Sequence, residues 1–405
     1  MEAMANPEAV GLSKARLARL KPWMSRWVDA GHLPGALTLV ARRGEIAYLD
    51  CVGHRDVASA TPWTTDTMVR VYSMTKPVTS IALMMLFEEG LVHLDDPVQS
   101  FIPELKDPMV LVPGATAIDQ VEPCTIPMTV EHLLTHTSGY TYGFQGGILG
   151  DAYTAEKIDF GPRRGGLDAM LKKLGALPIL FQPGTRWNYG VSTDVVGRLV
   201  EVISGQDLAT FFQSRIFEPL GMVDTAFGTP AAKLDRFASL YTPNPDGSMK
   251  VLETAEKSAF RLDGTDTYSG GGGLVSTVGD YFRFAEMIRR KGRVGSERLI
   301  GPRTLSFMAS NHLPGDLASM GQPKFSEVSY VGIGFGLGFA VMLNPAISSN
   351  MGSVGDHGWG GMASTVFWVD PVEDMTVIFM TQLAPSSSYP LRKELRALVY
   401  SSLID

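Results

Sequence analysis

The order of predicted secondary structure most constrains the fold, because strand patterns lie near both ends of the chain and helical patterns fill its middle. Short apolar runs rich in β-branched residues predict strands, at residues 36–41, 45–49, 332–343, 363–369 and 375–381. Apolar residues at helical spacing predict helices, at residues 13–30, 75–89, 130–134, 167–174, 194–203, 208–216 and 391–403. Strands at both ends with helices between them indicate an α/β (α+β) architecture.

Composition places the chain among ordinary globular proteins and narrows its partners. Its 405 residues are 45% hydrophobic and 19% charged, which fits two or three domains or one large enzyme with an inserted subdomain. A formal net charge of −7 without a long Lys/Arg run argues against nucleic acid and membrane surfaces as partners. Residues 1–7 lack a signal-peptide pattern and no apolar stretch reaches a membrane span, so we expect a cytoplasmic protein.

The sequence carries no metal or cofactor signature. Its histidines form no His-Glu-x-x-His or Cys/His spacing, so we expect no bound metal. Gly334, Gly336 and Gly338 alternate with apolar residues. This pattern favours a strand packed closely under another element over a dinucleotide-binding loop, and we therefore expect no cofactor.

The most informative local pattern is a serine three residues ahead of a lysine at the start of a helix. Ser73 and Lys76 stand in the segment Tyr-Ser-Met-Thr-Lys, which an apolar helical run follows. At this spacing the two side chains lie on one helical face, where the lysine and the positive helix end both favour an alkoxide on the serine. A Ser-x-x-Lys tetrapeptide is expected by chance about once in a chain of this length. Taken alone, it is explained by a helix-capping serine and an exposed lysine one turn later.

Four further segments follow Ser73 in an order that identifies a family. They read Leu-Leu-Thr-His-Thr-Ser-Gly at 133–139, Pro-Gly-Thr-Arg-Trp-Asn-Tyr-Gly at 183–190, Pro-Leu-Gly-Met at 219–222 and Gly-Gly-Gly-Gly-Leu-Val-Ser-Thr at 270–277. Together with Ser73 and Lys76 they resemble the serine beta-lactamase-like superfamily, which includes class C beta-lactamases, D-Ala-D-Ala carboxypeptidases and family VIII carboxylesterases. The resemblance extends from about Gly35 to Leu383, and the ordered combination is far more specific than any single motif.

This resemblance implies a beta-lactamase/transpeptidase-like fold, in which an antiparallel sheet flanked by helices packs against a mainly helical subdomain. The α/β domain would be discontinuous, built from residues 1–65 and 325–405. Residues 66–324 would form the mainly helical region, which carries the Ser73 helix and the Tyr189 loop. The active site is expected in the cleft between the two parts.

The resemblance assigns catalysis to Ser73, Lys76 and Tyr189. Ser73 would be the nucleophile with Lys76 beside it, and Tyr189 would be the general base or would relay the proton. The family's Tyr-x-Asn motif falls on residues 189–191, where Val191 replaces the asparagine. A phenol ordinarily titrates near pH 10, so it acts as a base near neutral pH only if a cation such as Lys76 stabilises the phenolate.

The family's third motif, Lys-Thr-Gly, is expected at Trp359, Gly360 and Gly361. The backbone N–H groups of Ser73 and Met362 would then form the oxyanion hole, although aligning residues 357–359 with the motif instead leaves that donor open. Lysine at this position in beta-lactamases helps to hold the substrate carboxylate, and tryptophan cannot supply that charge. The esterase branch typically carries Trp-Gly-Gly here, so an uncharged ester fits better than a penicillin.

Long loops rich in glycine and proline are expected to form walls of the site, as loops of this length in compact proteins usually do. They cover residues 140–166, 241–266 and 313–331. Tyr142 and Phe144 in the first loop are candidate substrate-binding side chains because they are aromatic.

The resemblance implies a carboxylesterase that hydrolyses small-molecule esters, of short to medium acyl chain, through an acyl-enzyme on Ser73. The first alternative is an acyltransferase that uses the same acyl-enzyme, since transesterases related to the statin pathway resemble this branch. The second is a beta-lactamase or D-amino-acid peptidase with weak beta-lactam hydrolysis, and the third is a binding protein that has lost catalysis. The oligomeric state is left open.

Overall fold

The computed structural model describes residues 4–159, 165–321, 324–325 and 328–405. Its strands are β1 (Gly35–Arg42), β2 (Glu45–Asp56), β3 (Thr61–Pro62), β4 (Val69–Arg70), β5 (Met109–Leu111), β6 (Val121–Pro123), β7 (Leu240–Pro243), β8 (Met249–Glu253), β9 (Val275–Ser276), β10 (Arg293–Val294), β11 (Glu297–Arg298), β12 (Lys324–Phe325), β13 (Val328–Ser329), β14 (Ile333–Phe335), β15 (Ala340–Met342), β16 (His357–Gly360), β17 (Val366–Asp370) and β18 (Met375–Thr381). Its α-helices are α1 (Lys14–Leu17), α2 (Leu20–Asp29), α3 (Thr75–Glu88), α4 (Val130–Leu134), α5 (Gly147–Glu156), α6 (Gly166–Gly175), α7 (Ser192–Ser204), α8 (Leu208–Phe212), α9 (Glu218–Leu220), α10 (Val278–Arg289), α11 (Pro302–Met308), α12 (Leu317–Met320), α13 (Pro345–Ser348) and α14 (Leu391–Tyr400).

One eight-stranded sheet joins the two ends of the chain. Its strand order is β14-β15-β16-β17-β18-β1-β2-β3, and every neighbouring pair is antiparallel. The N-terminal and C-terminal strands meet where β1 pairs with β18, in which Leu39 lies opposite Ile378. All eight strands come from residues 35–62 and 333–381, which confirms the predicted antiparallel sheet flanked by helices.

Helices cover both faces of this sheet, and alternate residues of β18 face the two cores. Val377 and Phe379 pack with α1, α2 and α14 in one apolar cluster. Ile378 and Met380 belong to the larger cluster that includes α3, α7 and α10. Since side chains of a strand alternate between the two faces, a strand buried on both sides shows the unbroken apolar run seen here.

Helix α3 crosses the middle of the larger core. All but its last two residues are buried, which explains why its sequence is apolar all round rather than amphipathic. Pro77 lies in its first turn, where a missing N–H costs no hydrogen bond. A 3₁₀ turn, Tyr72–Met74, leads directly into this helix and holds Ser73 at its start.

The predicted continuous strand at residues 332–343 is wrong. The chain forms a hairpin instead, β14 and β15, with Ile333 opposite Met342. Gly338 at the turn has φ +91°, a conformation that L side chains rarely adopt. A Cβ on Gly336 would overlap the Met308 carbonyl, so this segment does pack closely under another element, as the alternating glycines predicted.

The division of the chain at residues 65 and 325 stays a prediction. In the described part of the chain, no helix combines the length and the apolar character that crossing a membrane requires.

The central sheet predicts a matched pair of valine truncations. Val377→Ala removes two methyl groups from a fully buried site in β18 and leaves a cavity, so we expect a loss of about 2 kcal/mol in the free energy of unfolding. Val372→Ala, at a side chain that is 68% exposed, should change it by less than about 0.5 kcal/mol. Urea denaturation followed by circular dichroism measures both, and equal effects would contradict the assigned core.

Candidate active site

Ser73 occupies a tight turn whose backbone is held from several sides. Tyr72, the preceding residue, has φ +43°, a left-handed conformation that costs a non-glycine residue about 1–3 kcal/mol. The turn persists because Val71 N donates to the Leu274 carbonyl at 3.1 Å and Tyr281 Oη donates to the Met74 carbonyl at 2.8 Å. These contacts fix the direction in which the Ser73 hydroxyl points.

The Lys76 ammonium lies one helical turn from Ser73 and contacts three oxygens. Its Nζ is 3.3 Å from Ser73 Oγ, 3.0 Å from Tyr142 Oη and 2.6 Å from the Gly271 carbonyl oxygen. The side chain is only 1% exposed. Three oxygen acceptors match the three N–H bonds of an ammonium group, so the Lys76 Nζ is fully hydrogen-bonded beside Ser73.

Tyr189 stands over Lys76 in the same site. Lys76 Nζ is 4.7 Å from the centre of the Tyr189 ring, and Trp359 Nε1 donates a hydrogen bond of 3.2 Å to Tyr189 Oη. A cation and an N–H donor both stabilise negative charge on a phenol oxygen. The geometry therefore allows Tyr189 to accept and return a proton.

Tyr142 is buried and does not belong to the cavity wall. Its hydroxyl contacts Lys76, and its ring stacks on Phe144 with centroids 5.0 Å apart. Burial, followed by the nearby Tyr189 and Asp194, raises the pKa of Tyr142 well above its ordinary value, so its hydroxyl keeps its proton. No motif surrounds Tyr142, so the sequence did not indicate its contact with Lys76.

His136 is neutral and packs behind Tyr189. Its ring centroid is 5.0 Å from that of Tyr189. Burial, followed by the charge of Lys76, lowers the pKa of His136 well below its ordinary value. Within the residues that the structure describes, no group of three or more His, Cys, Asp or Glu side chains could hold a metal ion.

The chain at the end of β16 also lies close to the turn that holds Ser73. A Cβ on Gly361 would overlap the Val71 carbonyl, so glycine is required for the strand to reach the turn before Ser73. Arg392 Nη2 fixes this segment by donating to the Gly361 and Thr365 carbonyls at 3.1 and 3.2 Å. Sequence reasoning missed Arg392, because an arginine in a closing helix has no local signal.

A cavity of about 550 Å³ opens at this junction. Ser73 and Tyr189 lie in its wall, as do Gly360, Gly361 and Met362. Most of the wall is apolar, with Phe144, Tyr330, Ile333, Met342, Trp359 and Trp368 contributing. The volume and the apolar lining are typical of a small-molecule site.

The cavity meets a second one at Phe144 and Met362. The second cavity, of about 720 Å³, is lined also by Tyr72 and Phe260. Phe144 is 58% exposed and stands between the two. Ser73 lines the first cavity, and its neighbour Tyr72 lines the second.

Comparison with known proteins places this arrangement in a family. The family model described as Beta-lactamase matches residues 20–401. The chain belongs to the Beta-lactamase family. This member is 32% identical to Esterase EstB of Burkholderia gladioli, over 98% of this chain and 99% of that protein.

Two further relatives act on acyl groups according to their names. The chain is 27% identical to ML-236A carboxylate methylbutanoyltransferase mlcH of Penicillium citrinum, over 96% of this chain and 94% of that protein. Among solved structures it is similar to "EstCE1, a hydrolase with promiscuous acyltransferase activity", with a TM-score of 0.81 and 25% identity. That likeness covers 95% of this chain and 99% of the other, so the beta-lactamase/transpeptidase-like fold predicted from the sequence is confirmed.

The contact between Trp359 and Tyr189 predicts the effect of a conservative change. Trp359→Phe keeps an aromatic wall but removes the N–H donor, so we expect kcat to fall about 10-fold with little change in KM. Trp27→Phe is the matched control, since it removes an indole donor to Glu394 on the far face of the sheet. Steady-state kinetics with a p-nitrophenyl ester measure both. An unchanged kcat in Trp359→Phe would show that the hydrogen bond from Trp359 to Tyr189 does not contribute to turnover.

Proposed function

We propose that this Beta-lactamase family member is a carboxylesterase that hydrolyses small-molecule esters through an acyl-enzyme on Ser73. The observation that carries the proposal is the Trp359 indole, which contacts Tyr189 in an apolar cavity beside the Ser73–Lys76 pair. A neutral side chain at this place suits an uncharged ester better than an acidic substrate. The likeness to an esterase along almost the whole chain supports the same activity.

In the first step, Ser73 Oγ attacks the ester carbonyl carbon and its proton passes to the Tyr189 oxygen. Lys76 stabilises negative charge on both oxygens, because its Nζ lies beside Ser73 Oγ and the Tyr189 ring. The carbonyl oxygen becomes negative and accepts hydrogen bonds from the backbone N–H groups of Ser73 and Met362. Each such donor contributes about 3 kcal/mol to transition-state stabilisation.

The tetrahedral intermediate then collapses, and Tyr189 returns the proton to the leaving alcohol oxygen. Water enters the vacated place, gives a proton to Tyr189 and attacks the acyl carbon. Collapse of the second intermediate breaks the bond to Ser73 Oγ, which regains the proton. The carboxylic acid is released and the enzyme returns to its starting state.

The two cavities accept the two halves of the ester. The acyl carbon must lie at Ser73 and the leaving oxygen near Tyr189, and both residues line the first cavity and are not among those lining the second. The alcohol half therefore occupies the first cavity. The acyl half points past Phe144 and Met362 into the second, where these side chains set a preference for short to medium chains.

Acyl transfer is the second candidate activity. The first cavity can hold an acceptor alcohol in place of water, and two of the relatives carry acyltransferase activity in their names. An added alcohol would then compete with water for the acyl-enzyme. The ratio of new ester to free acid, measured by chromatography, reports that competition.

Hydrolysis of p-nitrophenyl acetate, butyrate and octanoate, alongside nitrocefin, tests the main proposal. We expect ester turnover with little nitrocefin cleavage in the wild type, and a loss of at least 10³-fold in Ser73→Ala because the nucleophile is gone. A fluorophosphonate should label the wild type at Ser73 and leave the variant unlabelled. Ester turnover that survives in Ser73→Ala would refute the assignment, and efficient nitrocefin cleavage would favour the beta-lactamase alternative.

The position of Phe144 between the cavities predicts a change in chain-length preference. Phe144→Ala merges the two spaces, so the ratio of kcat/KM for octanoate to that for acetate should rise about 10-fold. Phe307→Ala is the matched control, because Phe307 is also partly exposed and is not among the residues lining either cavity. An unchanged ratio in Phe144→Ala would show that the Phe144 side chain does not determine the acyl-chain preference.

A further inference from the structure

The Lys76 ammonium is almost fully buried, and its three oxygen neighbours carry no full negative charge when both hydroxyls are protonated. Burying an uncompensated cation costs several kcal/mol, even when its hydrogen bonds are satisfied. A carboxylate near Lys76 would reduce that cost. Val191 replaces the asparagine of the family's Tyr-x-Asn motif, so that position supplies no polar group to Lys76. A compensating group must come from another segment of the chain.

Asp194 is a fully buried acidic residue on the other side of Gly271. Its Oδ1 accepts hydrogen bonds from Gly271 N at 3.2 Å and from Ser269 Oγ at 2.5 Å. The carbonyl of the same glycine accepts the 2.6 Å hydrogen bond from Lys76. The main chain of one residue thus connects the buried acid on α7 to the buried lysine on α3.

Glycine is what allows the two charges to approach each other. A Cβ on Gly271 would overlap the Asp194 carboxylate and lie 3.2 Å from Tyr142 Oη. One on the neighbouring Gly270 would come within 2.9 Å of Thr79 on α3 and 2.7 Å of the Thr193 carbonyl on α7. The run at 270–273 therefore fits between the two helices only because it lacks side chains.

The surroundings of Asp194 favour its charged form. It lies in the first turn of α7, where the helix dipole stabilises negative charge. An N–H and an O–H donor point at its carboxylate, and charge-assisted hydrogen bonds of this kind are the strong ones.

We infer that Asp194 is a positioning residue that supplies the counter-charge of Lys76 across Gly271 and so sets the pH range in which Ser73 is activated. The inference rests on the proposed esterase activity and deepens it. Asp194 does not touch the substrate. It places a negative charge next to the lysine site and holds the Gly271 carbonyl in hydrogen-bond contact with Lys76.

The sign of the pH effect follows from the groups around Lys76. Those facing it are Tyr142, whose hydroxyl keeps its proton, Tyr189, which is the proposed base, His136, which is neutral, and Asp194. Removing the charge of Asp194 makes every neighbouring group lose its proton more easily. Both limbs of the profile of kcat/KM against pH should therefore move to lower pH.

Asp194→Asn tests the inference in the full-length protein. This isosteric change keeps an oxygen acceptor but removes the charge, so we expect the profile to shift by about one pH unit to lower pH and kcat/KM on its alkaline limb to fall about 10-fold. Ser269→Ala is the matched control, because it removes a hydrogen bond to the same carboxylate and leaves the charge. Asp194→Glu restores the charge on a longer side chain and should return the profile to its wild-type position, even at reduced kcat.

The three profiles separate a role of charge from a role in packing. A purely structural Asp194 would make Asp194→Asn the milder change and Asp194→Glu the more damaging one, with no shift of either profile, and this result would overturn the inference. A shift in Ser269→Ala as large as that in Asp194→Asn would overturn it as well. Should Asp194→Asn fail to fold in thermal unfolding, Asp194→Ala, which also removes the charge, takes its place: a shift to lower pH supports the inference and an unmoved profile overturns it.

Failure of the proposed function gives a different result. In that case the wild type shows no Ser73-dependent ester turnover and no fluorophosphonate labelling at Ser73. Failure of the inference alone leaves wild-type turnover and labelling intact, with the Asp194→Asn profile unmoved.

Discussion

The burial of the Lys76 ammonium is the constraint on which the rest of this site depends. A charged nitrogen that is 1% exposed is tolerated only where acceptors saturate its N–H bonds. Here the acceptors come from the turn before α3, from the loop that holds Tyr142 and from the glycine run at 270–273. Because these segments are distant in sequence, the geometry at Ser73 depends on the packing of the whole helical part.

The glycine run at 270–273 also leads into the residues that hold the Ser73 turn in place. Leu274 follows the run directly and forms hydrogen bonds on both sides of the Ser73 turn. Its carbonyl accepts from Val71 N, and its N–H donates to Thr75 Oγ1. The short strands β4 and β9 continue this pairing, with Val69 opposite Ser276. The strained backbone at Tyr72 is therefore held by hydrogen bonds that precede and follow it, and the hydroxyl of Ser73 is oriented before any substrate binds.

The sheet contributes the other half of the site. Strand β16 brings Trp359 to Tyr189 and its following residues to the turn before Ser73. The candidate site forms where the sheet packs against the helical part, since Ser73 and Lys76 lie on the helical side and Trp359 lies on the sheet. At this place the cavity wall carries a neutral indole, while Arg392 and Arg396 also line the cavity.

The sequence by itself determined the main helices and strands and indicated the candidate catalytic residues. Apolar periodicity located α3, α7 and the pairs β1–β2 and β17–β18, because period and turn residues are local properties. The ordered motifs singled out Ser73, Lys76 and Tyr189, since their spacing along the chain is visible without a structure. The hairpin at residues 333–342 was predicted as one strand, because its glycines alternate with apolar residues and the turn has no separate signal. The helix predicted at residues 13–30 is divided into α1 and α2.

Tertiary structure alone decided what surrounds these residues. The contact of Tyr142 with Lys76, the support of Gly361 by Arg392 and the approach of Asp194 to Gly271 join positions separated by between 31 and 77 residues. No local pattern encodes such contacts, because each depends on how closely two buried elements approach. The glycines that permit that approach can be seen in the sequence. The residues that they contact are determined only when α3, α7 and the sheet pack together.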